Sequence, residues 1–290
     1  MPKSRGAAAC NDDPTPRGTR RCRRYARPWQ TRRMRVLGID LAAEAPSTGA
    51  VVLNRFAAGG WIAKEPERAP DDDSLVEAAW GIDVIGIDSP LGWPVAFVQA
   101  VAAHNMFRPW PGTHDRSTLT HRETDRAIRV LGSKAPLSVS ADKLGSVAMR
   151  CALLQRRWAD EIWGSPAPRD GTGPIVETYP AAAFAAWGIE CKGYKNRQRT
   201  DEARRVRENV VDAIDRAVGA WLDLKPVQAR CVVSDHVLDA LVSALVAVAS
   251  KTRATHLPPE EMRPRALAEG WIHLPSRPLS ELSPEGLLEP

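Results

Sequence analysis

Three aspartates, Asp40, Asp88 and Asp239, are placed where they could hold a divalent cation. Asp40 ends the apolar run VLGI and Asp88 ends VIGI, each at the point where a strand runs out. In open α/β sheets, ligands collect at the carboxyl ends of strands. Asp239 falls one turn inside DHVLDALVSALVAVAS, a segment that is apolar nearly all round as a helix and must therefore be buried. A carboxylate there needs a partner, because burying an uncompensated charge is costly. Two carboxylates about 4 Å apart repel by roughly 4 kcal/mol at an effective dielectric of about 20, and three would be worse. A ligand set of hard oxygens suits Mg²⁺ or Mn²⁺ rather than zinc. The competing interpretation is structural: an aspartate after a strand is often a turn former. Asp235, a further candidate ligand, could equally complement the N-terminal dipole of its helix.

These residues need a sheet and a buried helix to bring them together. VLGID predicts a first strand, AVVL a second and GWIAK a third, separated by the turn-like EAPSTG and by Gly59-Gly60. Asp71 to Ser74 predict a helix start before LVEAAW, and DVIGIDS predicts a fourth strand stopped by Pro90. PIVETYP predicts a fifth short strand and AAAFAAWGI a short helix closing near Gly188. Residues 201–222 predict a long amphipathic helix with Val206, Val210, Ile214, Val218 and Trp221 on one stripe. Ser234 caps the last strong helix, whose one polar face (His236, Asp239, Ala240, Ser243, Ala247, Ser250) is small enough to let another backbone approach. Between residues 92 and 174, HRETDRAIRVLG and SVAMRCALLQRRWADEIW read as helices, giving a helical insertion. EGWIHLP predicts one more edge strand, and residues 276–290 a loose tail.

The net charge of +5 is unevenly spread. Residues 1–33 hold ten Lys/Arg against Asp12 and Asp13, a net of +8, which leaves −3 for the rest. This segment is either a basic arm that touches phosphates or an extension ahead of Met34. Only Tyr25 and Trp29 accompany its arginines, which favours the extension. No apolar stretch approaches the roughly 20 residues needed to cross a bilayer. No charged-then-apolar leader is evident. Five scattered cysteines without a C-x-x-C pair argue against zinc or a disulfide framework and point to a cytoplasmic location.

The motifs VLGIDLA, IGIDSPLGWP, HRETDRAIR, VETYPAAAF, KGYK and SDHVLDALVSALVA, in this order, resemble the family called domain of unknown function 429. That resemblance covers roughly residues 34–275 and implies a predicted nuclease. It also implies an α/β, ribonuclease H-like mixed sheet, three antiparallel strands plus parallel strands, flanked by helices. In that superfamily a first-strand acid, a fourth-strand acid and a late-helix aspartate chelate the metals, places matched by Asp40, Asp88 and Asp239. His236 matches the acid or histidine that stands three residues before the final aspartate in Holliday-junction resolvases. Glu177, ending PIVE, is either a further catalytic ligand or a sheet-end acceptor. Arg122, with Glu123 and Asp125 in RETD, matches a family motif. Lys192, Tyr194 and Lys195 in KGYK are candidates to contact an anionic substrate.

The expected activity is phosphodiester hydrolysis, with two Mg²⁺ or Mn²⁺ ions held by the three aspartates. The substrate stays open among DNA, RNA, a branched junction and a small phosphodiester. The acidic body disfavours tight non-specific duplex binding. An ATP-dependent phosphotransferase of the actin and sugar-kinase type would want a phosphate hairpin after Asp40, where only Ser47, Thr48 and Gly49 could serve. A non-catalytic binding module that kept the fold is the third alternative. Carboxylate oxygens beyond the reach of a shared ion, or a basic side chain already neutralising them, would end the nuclease reading.

Overall fold

A computed structural model describes residues 34–56, 59–110, 115–131, 136–140 and 142–284. The basic segment 1–33 lies outside these residues, as does the end of the expected tail. Six strands form one mixed sheet: β1 (Arg35–Asp40), β2 (Gly49–Arg55), β3 (Trp61–Lys64), β4 (Val84–Asp88), β5 (Ile175–Glu177) and β6 (Leu222–Asp223). Their order is β5-β4-β1-β2-β3-β6. β1, β2 and β3 are antiparallel neighbours, whereas β4 runs parallel to β1 and β5 parallel to β4. The sheet is thus mixed, as the three-strand antiparallel run followed by a crossover predicts.

Ten α-helices are described: α1 (Asp72–Ala78), α2 (Val95–Asn105), α3 (Arg116–Thr120), α4 (Glu123–Val130), α5 (Leu144–Trp158), α6 (Pro180–Ala186), α7 (Thr200–Val218), α8 (Lys225–Val233), α9 (Asp235–Lys251) and α10 (Arg263–Glu269). The start signals work as the sequence predicts. Asp71 accepts from the Ser74 amide at α1, and Ser234 from the Val237 amide at α9.

Strand alternation sorts the core into two layers. Leu37, Ile39, Val52, Ile85 and Ile87 point to one face, against Leu75 of α1 and Cys151, Leu154 and Trp158 of α5. Val36, Val51, Leu53 and Val84 point to the other, against α7, α8 and above all α9. Gly38 and Gly86 face α9 as well. A Cβ at Gly38 would collide with the Ala240 carbonyl and one at Gly86 with the Ser243 carbonyl, so the helix backbone lies directly on the sheet. The small residues on its polar face allow this approach.

Several elements depart from expectation. EGWIHLP makes no strand, only two isolated bridges, Ile272 to Glu177 and Pro275 to Thr255. Residues 276–284 are not loose: Leu279 and Leu282 are buried in the core layer beneath α7. α2, α3, α8, α10 and the two-residue β6 were not anticipated. Trp221 lies beyond the end of α7 and packs edge-on against Trp61 at 6.3 Å between ring centroids.

Candidate metal centre

Asp40 and Asp88 are direct register partners across β1 and β4. With a side-chain period of two, Asp40 shares a face with Gly38, and Asp88 with Gly86. Both carboxylates therefore emerge on the α9 side, beside the part of the helix that rests on those glycines. Asp239, fully buried on α9, completes the group: one carboxylate oxygen from each aspartate lies within 4.8 Å of the others. An all-oxygen set of this compactness fits a hard divalent cation. The Asp88 carboxylate also has no hydrogen-bond or ion-pair partner among the described residues, so one ligand position is uncommitted.

The electrostatics agree with the crowding. Burial, reinforced by the charge of Asp40, holds the Asp88 carboxyl well above the usual carboxylate range. Burial also raises Asp239, against the lowering influence of Lys195. Its neighbours are Tyr194, whose Oη donates to Asp239 Oδ1 at 3.0 Å, and Lys195, whose Nζ pairs with Oδ2. Burial opposes the Lys195 charge, but Asp239, Asp40 and Asp88 together hold its pKa above the ordinary lysine value. His236 Nδ1 is 2.6 Å from Asp40 Oδ2, and this hydrogen bond raises the histidine pKa.

A basic side chain therefore does reach the acids. Lys195 supplies one positive charge against three carboxylates, so neutralisation is partial. In its neutral form His236 donates Nδ1–H to Asp40 and adds no charge.

The KGYK segment is positioned by contacts that sequence reading missed. The Arg207 guanidinium, buried on α7, donates to the carbonyls of Tyr194, Val232 and Val233 and so ties the loop to the end of α8. Tyr194 is buried edge-on against Phe184. Lys192 is exposed, and its backbone amide donates to Glu190 Oε1. The only advance signal for Arg207 was its register with the apolar positions Ala203, Val210 and Val211.

Three candidates fall outside the group. Glu177 is engaged elsewhere: Arg122 Nη2 and Nη1 donate to its two oxygens at 2.7 and 2.9 Å, and the Leu91 amide adds a third bond at 3.1 Å. Arg122 is buried and also holds Asp125, so it has no face for a substrate. Asp235 sits in the first turn of α9, where an acid complements the helix N-terminus. Ser47, Thr48 and Gly49 do not form a phosphate hairpin, since the Thr48 hydroxyl accepts from Arg150 Nη1 at 2.7 Å and contacts the Ala42 amide.

The family model described as "Protein of unknown function (DUF429)" matches residues 38–263. The chain belongs to the DUF429 family. That match takes in all three aspartates, the KGYK segment and RETD. No curated protein and no solved structure matches this DUF429 chain.

Proposed function

We propose that this protein is a metal-dependent phosphodiester hydrolase, a nuclease, with a ribonuclease H-like core at residues 34–275 into which the helices of residues 92–174 are inserted. The observation that carries the reading is the in-register pair Asp40–Asp88 joined by Asp239 within 4.8 Å. The fold supports it, since three antiparallel strands followed by two parallel ones, in the order β5-β4-β1-β2-β3, is the arrangement of that superfamily's sheet.

The three aspartates would bind Mg²⁺ or Mn²⁺. A bound cation would supply Lewis acidity, activating water and stabilising the leaving oxygen. In hydrolysis the water oxygen bonds to phosphorus, the P–O ester bond breaks, and the departing alkoxide is protonated. His236 keeps Asp40 oriented through Nδ1, and its other ring nitrogen is available to take the proton released by water. Lys195, half exposed beside Asp239, and Lys192 offer positive charge to the phosphate. No described helix is long and apolar enough to cross a membrane. A cytoplasmic location is part of this reading, resting on the scattered cysteines of the sequence.

The test is a Mn²⁺-supplemented panel of single-stranded, duplex, hybrid and branched substrates, run with wild type and Asp40→Asn. Cleavage by wild type alone supports the reading; cleavage by both, or by neither, removes it. The phosphotransferase alternative finds no phosphate hairpin here.

A further inference from the structure

Lys195 poses a question that a two-ion site does not answer. Its ammonium pairs with Asp239, the most deeply buried of the three acids, and also senses the charges of Asp40 and Asp88. The residue is not a casual surface lysine. Gly193, at φ 91°, makes the turn before it. Tyr194 is anchored at both ends, by its hydroxyl on Asp239 and by its carbonyl under Arg207. The Lys195 ammonium also lies 5.4 Å from the centre of the Tyr194 ring. The loop therefore delivers a positive charge to a fixed place beside the ligand group.

We infer that Lys195 serves as the second cation of this centre, so that the site binds a single divalent ion. This rests on the metal reading above and adds to it the stoichiometry and the role of one residue. The charges balance in that arrangement. With an ion bound, the three carboxylates ionised and His236 neutral, three carboxylates and one ammonium leave two negative charges, the charge that one divalent ion cancels. Among the described residues Asp40 and Asp88 are the acids without a lysine or arginine partner, and they are the pair that the sheet register brings side by side. A second divalent ion would have to displace the lysine from Asp239 or sit next to it, and at such separations like charges repel strongly in a partly buried site. An ammonium also does part of what the second ion does in two-ion sites, since it can neutralise a phosphate oxygen, but it cannot bind water as a Lewis acid. On this assignment Lys195 both lowers the affinity of the site for its ion and limits the number taken up.

The test counts ions and measures affinity without depending on turnover. Mn²⁺ is titrated calorimetrically into wild type, Lys195→Met and Lys195→Arg, and bound Mn²⁺ is counted independently by elemental analysis after gel filtration. The expected result is one ion per chain in wild type and in Lys195→Arg, with Mn²⁺ bound at least ~10-fold more tightly by Lys195→Met, because a neighbouring like charge has been removed. Two ions per chain in wild type, or an affinity in Lys195→Met equal to that of wild type, would overturn the assignment. If neither wild type nor Lys195→Met binds Mn²⁺, the metal reading and this inference fail together. If the expected counts appear in a protein that cleaves no phosphodiester, the proposed activity fails and the one-ion centre stands.

Discussion

The imidazole of His236 is held against Asp40, with Nδ1 2.6 Å from Oδ2, although the two residues are 196 positions apart in sequence. Asparagine at position 40 keeps an oxygen for that hydrogen bond but discards the charge. Asp40→Asn should therefore reduce Mn²⁺ affinity and metal-dependent hydrolysis by ~100-fold or more, since even outer-shell partners of metal ligands are worth 10–100-fold. In the metal-free protein it should leave the melting temperature unchanged or raised, because it relieves repulsion with Asp88. Calorimetric titration and thermal melts in chelator check both halves.

Arg122 with Glu177 and Asp125 makes a different prediction. The ion pairs are buried and linked, and Glu177 also receives the Leu91 amide. Arg122→Met would leave two acids without their cation and should cost about 3–5 kcal/mol of stability. Adding Glu177→Gln should recover part of that loss. Urea denaturation of the single and double variants measures it, and Mn²⁺ affinity of the folded fraction should change little.

His273 gives a pH signature. Burial pushes its pKa down to about 4, with Lys251 adding to the effect and the Asp170 carbonyl opposing it. Its Nδ1 meets Thr255 Oγ1 at 2.9 Å. The folded state therefore takes up its proton at lower pH than the unfolded chain, whose histidine titrates near 6.5. Stability contributed by the neutral ring is present in full above about pH 6.5 and falls progressively as pH drops towards 4, by up to about 3 kcal/mol. Denaturation midpoints recorded from pH 7.5 to 4.5 should decline more steeply in wild type than in His273→Asn.

Gly38 and Gly86 should tolerate no side chain. Alanine at either position would drive a methyl group into a carbonyl of α9, and overpacking of this kind costs typically ~1–3 kcal/mol. Because the same contact sets the spacing of Asp239 from Asp40 and Asp88, Gly38→Ala should lower Mn²⁺ affinity more than Leu37→Ala does, even though Leu37→Ala should destabilise the fold as much or more. Melting curves and titrations of the two variants separate the effects.

Much of this architecture could be read from local pattern. VLGID, VIGID and the capped run from Ser234 each contain enough apolar periodicity and punctuation to define an element without tertiary help. The three aspartates stood out because each broke an apolar run at a place where a charge is costly. Other features were not legible, for physical reasons. β6 has two residues, too few for any period, and exists only because β3 offers a free edge. α2 is apolar along much of its length yet mostly exposed, so no polar–apolar alternation marked it. Glu177 reads as either a ligand or a sheet-end acceptor because it ends a strand beside the site; its pairing with the arginine of RETD, 55 residues away, is not written in local pattern. The role of Arg207 was not legible beyond its register with apolar positions, because its partners are backbone carbonyls, which leave no trace in side-chain identity.

The seating of α9 on bare backbone makes the centre portable. Ligand spacing is set where the main chain of α9 rests on the main chain at Gly38 and Gly86, with only the methyl groups of Ala244 and Ala247 beside it. Three short pieces, two neighbouring parallel strands and one small-faced helix, carry the whole geometry. A designer could transplant that cassette into another sheet and repack everything around it while keeping the oxygens in place.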